Sequence, residues 1–171
     1  MDEARRAALY ARRQAVLTES AARDRRKDRA AFVAMVPILT ALEAAGDDYD
    51  SDSYRGLHGR LNQWAHDPSR YGMREQSYAK LPADTALRDA MILERLRQKL
   101  SDDALVTIIL RREAMMLTMR MPVLVRHLET LFESAKGDRL GFTAPPAEWI
   151  VATFHVDPLE LSEIVTGTLE D

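Results

Sequence analysis

Any folded form of this chain has to bury the stretch from Asp102 to Lys136, in which Leu105, Val106, Ile108, Ile109, Met115, Met116, Met119, Met121, Val123, Leu124, Leu128, Leu131 and Phe132 crowd together. Apolar residues across the whole chain recur at spacings of three and four, and only seven Gly and seven Pro interrupt a sequence rich in Ala, Leu, Arg and Glu. Both properties favour helix over strand. The expectation is an all-α fold, a bundle of six to eight helices with the 102–136 stretch at its centre and Pro122 dividing that stretch into a bent helix or two successive ones.

The remaining elements follow from caps and breakers. Residues 2–45 read as one long helix or two nearly collinear ones, closed by Gly46, with Pro37 kinking the helix or starting a new one. Ala4, Ala8, Ala11, Ala15, Thr18 and Ala22 form a heptad stripe of small residues that permits close approach of another helix and buries little area. Ser51 or Ser53 would cap a short helix from about Tyr54 to Ala65. Asp84 would cap a helix to about Leu100 that buries Leu87, Met91, Ile92 and Leu96, and Ser101 would cap the next, which Gly137 closes. Pro145-Pro146 would begin a helix to about Phe154, and Asp157-Pro158 a last one ending at Gly167. The domain reading is a basic helical arm at 1–30 and a helical bundle at 31–171, ending in a helical hairpin at 146–167.

Composition excludes several classes of function. With no Cys there is no thiolate zinc site, iron–sulfur ligation, disulfide or Cys nucleophile, and a reducing, cytoplasmic setting is expected. No run of about 18 apolar residues suggests a membrane span. His58, His66, His127 and His155 show no ligand spacing, and Asp48, Asp50 and Asp52 are followed by Ser53 where a calcium loop needs Gly. Neither GxSxG, a Walker loop nor GxGxxG is present. No enzyme, metal or cofactor is therefore expected. Met115, Met116, Met119 and Met121 read as core filling, with a pliable partner groove as the alternative.

Charge is divided along the chain. The whole molecule carries −3, yet residues 1–30 hold nine Lys and Arg against five Asp and Glu, and 54–100 again nine against five. Residues 31–53 have five acidic residues and no basic one, and 137–171 one basic against seven acidic. In the arm, Arg5, Arg12, Arg13, Arg25, Arg26 and Lys27 stand out, with Arg5 and Arg12 a heptad apart, a pitch that could follow a phosphate backbone; a solvated face of local ion pairs is the alternative. The second candidate segment interleaves Arg55, Arg60, Arg70, Arg74 and Lys80 with Trp64, Tyr71 and Tyr78, the mixture of cations and rings that binds single-stranded nucleic acid. Residues 146–167 resemble a helix-turn-helix through Ile150, Phe154, Val156, Leu161 and Ile164, but Asp157, Glu160 and Glu163 would repel phosphates.

In size, helical content and split charge the chain resembles the small helical subunits of CRISPR effector ribonucleoproteins. That resemblance implies a non-catalytic assembly subunit that touches RNA or displaced DNA through basic faces and neighbouring subunits, or further copies of itself, through its acidic end. The alternatives are a helix-turn-helix DNA-binding regulator and a protein-binding helical adaptor without nucleic acid.

Overall fold

The computed structural model describes residues 35–53, 73–110, 115–135, 140–157 and 160–169. The chain divides into units Met1–Val33 and Ala34–Asp171, and every described residue belongs to the second. In chain order its elements are α1 (Val36–Ala45), β1 (Tyr49–Ser53), β2 (Met73–Lys80), α2 (Thr85–Arg97), β3 (Leu105–Leu110), β4 (Met115–Arg120), α3 (Met121–Ala135), β5 (Leu140–Thr143), β6 (Trp149–Asp157) and β7 (Glu160–Leu169). The seven strands form one sheet in the order β1-β4-β3-β5-β6-β7-β2, with every neighbouring pair antiparallel. Successive strands β1 and β2 thus stand at opposite edges, six spacings or roughly 29 Å apart.

This α+β architecture corrects the all-α expectation, and the register shows why the sequence misled. One row across the sheet runs Ser51, Leu117, Ile108, Phe142, Val151, Thr166, Ser77; the adjacent row, pointing to the opposite face, runs Asp52, Met116, Ile109, Gly141, Ala152, Val165, Tyr78. Ile108, Phe142 and Val151 are buried on the first face, and Ile109, Ala152 and Val165 are equally buried on the second. Strands buried on both faces lose the alternation of apolar and polar residues and read as continuous apolar runs, which periodicity alone does not separate from buried helix.

The helices lie on the first face. Arg95 of α2 donates to Ser77 Oγ (2.8 Å) and Thr166 Oγ1 (3.3 Å), both on that row. Tyr49, whose side chain shares that face, donates its hydroxyl to Glu43 of α1 at 3.3 Å. Between these two helices sits α3: its Ser134 accepts the Ile38 N–H of α1 at 3.1 Å, and its Phe132 ring lies 4.2 Å beneath the Arg88 guanidinium of α2.

Local signals place the helix ends. Gly46 closes α1 in the left-handed region at φ 68, a conformation glycine adopts without steric penalty. Asp84 caps α2 by accepting the Leu87 N–H at 2.9 Å. Of the face expected on α2, Ile92 and Leu96 are buried, Met91 is half-buried and Leu87 is exposed. Pro37 falls at the start of α1, and Pro122 is the second residue of α3, where a missing N–H costs no helical bond.

Elsewhere the expected helices are strands. Leu105–Leu110 and Met115–Arg120 form the β3–β4 pair, so Pro122 marks a change from strand to helix. Ser101 belongs to a turn, with Ala104 N–H bonded to Ser101 O at 3.2 Å. Pro145-Pro146 is a cis peptide in the turn between β5 and β6, not a helix start. Trp149–Asp157 and Glu160–Leu169 are the antiparallel strands β6 and β7, with Ile150 opposite Gly167 and Ala152 opposite Val165, which removes the helix-turn-helix reading. The methionines hold to the core reading in part: Met115, Met119 and Met121 are buried, Met116 half-buried. Of the three features behind the CRISPR-subunit resemblance, size and split charge remain, while a helical bundle is not what the described residues form. The heptad stripe, the short helix expected at 54–65 and Gly137 lie outside the described residues.

Candidate functional site

An ionic cluster built on the well-covered Asp47 and His127 side chains begins where α1 ends. Gly46 reverses the chain, the Asp47 N–H bonds back to Leu42 O at 3.0 Å, and the Asp47 carboxylate is thereby turned toward α3. There it meets His127 Nε2 at 2.7 Å and the Arg126 guanidinium. The Asp47 and His127 side chains are 10% and 12% exposed, whereas that of Arg126 is 54% exposed. The hydrogen bond from His127, then that from Arg126, holds the Asp47 carboxyl below the ordinary carboxylate range against a smaller opposing effect of desolvation. An ionised carboxylate only accepts, so His127 Nε2 carries the proton in this contact.

This arrangement fastens the α1–β1 turn to α3. The Nε2 proton of His127 is committed to Asp47, and among the described residues no group of three His, Cys, Asp or Glu side chains could hold a metal ion. The sequence shows no ligand spacing around His127, and nothing in the acidic run singles out Asp47. The signal that bears on the contact is positional, since Asp47 directly follows the C-cap glycine.

Several other cations among the described residues are engaged with the protein's own groups. Arg88 pairs with Asp89 at 2.7 Å while stacking on Phe132, Arg95 ties α2 to β2 and β7, Arg97 lies 3.6 Å from Asp102, and Arg120 donates to Asp103 O at 3.2 Å. Of the predicted nucleic-acid-binding residues, Arg74 and Lys80 lie on β2, opposite Thr168 and Glu163. Lys80 is exposed, and Tyr78 between them is 59% exposed on the second face. Arg5, Arg12, Arg13, Arg25, Arg26, Lys27, Arg55, Arg60 and Arg70 lie outside the described residues. Asp50 and Asp52 take alternate positions on β1 on the same side of the sheet as Tyr78, in an extended strand and not a cation-wrapping loop.

The described residues contain eight Lys and Arg against seventeen Asp and Glu, a net charge of −9, so the rest of the chain carries +6 of the total of −3. Among the described residues no helix is long and apolar enough to cross a membrane. Comparison with protein-family models, with curated proteins and with solved structures finds no match to this chain.

Proposed function

We propose that this chain is a non-enzymatic binding and assembly subunit that works in the cytoplasm and engages the backbone of RNA or single-stranded DNA. Its contacts are the basic residues of the N-terminal arm and the 55–80 segment, chiefly Arg5, Arg12, Arg13, Arg25, Arg26, Lys27, Arg55, Arg60 and Arg70, aided by Arg74 and Lys80. The acidic end of the chain, residues 137–171, meets neighbouring protein subunits.

The charge partition carries this reading. Among the described residues seventeen carboxylates outnumber eight cations, a balance that repels a polyanion, and five of those cations are already bonded to the protein's own groups. The remaining +6, in which arginine dominates, is the sign and residue type that phosphate contacts use. The acidic surface also discourages nonspecific coating of nucleic acid, so binding is confined to the basic segments.

Anisotropy of fluorescently labelled single-stranded RNA, single-stranded DNA and duplex DNA, titrated with the full chain across a salt series, tests the reading. For six phosphate contacts on a single strand, log K against log salt falls with a slope of about −4. Saturable, sequence-independent binding with a slope of this order is the expected result. No binding near 50 mM salt, or a slope near zero, overturns the proposal and favours a protein-only adaptor (the salt range being roughly that in which phosphate contacts respond).

A further inference from the structure

We draw no further inference here: the strongest candidate, the second face of the sheet around Ile109, Gly141, Ala152 and Val165, is buried away from the three helices, and nothing in the structure shows what covers it.

Discussion

Replacing Ser134 by alanine removes a helix cap supplied from another helix. The first turn of α1 begins after Met35, whose side chain makes no cap hydrogen bond, and Pro37 has no N–H to satisfy. The Ile38 N–H is the donor that an N-cap Ser or Asp would ordinarily take. Ser134 Oγ accepts it instead at 3.1 Å, 96 residues along the chain, and Ser134 and Ile38 are 1% and 0% exposed. In Ser134→Ala that N–H has neither the hydroxyl nor water, and an unmade buried hydrogen bond costs about 1–3 kcal/mol. Loss of an ordinary N-cap costs about 0.5–2 kcal/mol, so the two estimates overlap near 2. For a chain of this length that lowers Tm by roughly 4–8 °C. Urea unfolding followed by far-UV circular dichroism, with an unchanged m-value, reads the loss directly. Ser101→Ala is the control: its hydroxyl bonds Asp103 at 3.0 Å in an exposed turn and its removal shifts stability by less than about 0.5 kcal/mol. A Ser134→Ala variant no less stable than that control would refute the capping argument.

Further substitutions probe the two faces and the ionic cluster. Ile109→Ala, on the face opposite the helices, costs about 2–5 kcal/mol in urea unfolding, as Ile108→Ala does on the helix face, because both side chains are fully buried; a cost below about 1 kcal/mol for Ile109→Ala contradicts burial of the second face. Asp47 has a depressed folded-state pKa, so its contribution is complete above the unfolded carboxylate value of about 3.9 and is lost as pH falls through the folded value. The stability gap between wild type and Asp47→Asn is therefore widest above about pH 4 and narrows in acid, and a gap independent of pH over roughly pH 2 to 7 contradicts the cluster. Arg95→Ala removes two hydrogen bonds from a half-exposed guanidinium, costs about 1 kcal/mol and speeds amide exchange in β2 and β7 more than in β3 and β4; uniform acceleration would argue against a local tie.

What could be read from the sequence was punctuation and burial. Gly46, Asp84 and Pro37 act through local backbone chemistry that tertiary packing does not override, and each marks the helix end expected of it. Most described apolar residues of the 102–136 stretch do form core, with Leu105 and Val125 exposed. Element type failed where strands are buried on both sides: Ile108–Leu110, Ile150–Thr153 and Ile164–Thr166 have no exposed face to show a period of two. The β-branched density of Val106, Thr107, Ile108 and Ile109, and of Ile164, Val165 and Thr166, was the available signal for strand. In β4 the methionines hid it, since unbranched side chains carry high helix propensity wherever they stand. The Asp47–His127 contact joins positions 80 residues apart, beyond any local pattern.

The account turns on which cations meet the polyanion, and two double charge reversals decide it at equal change in net charge. Arg12→Glu/Arg13→Glu and Arg97→Glu/Lys99→Glu are each titrated with labelled single-stranded RNA across the same salt series. The account predicts that the first reduces affinity by about tenfold or more at low salt and flattens the log–log slope by about 1.4, two single-strand phosphate contacts. It predicts that the second, on the exposed cations at the end of α2, stays within about threefold of wild type with the slope retained. Equal losses, or a greater loss from the α2 pair, would contradict the assignment of binding to the basic segments.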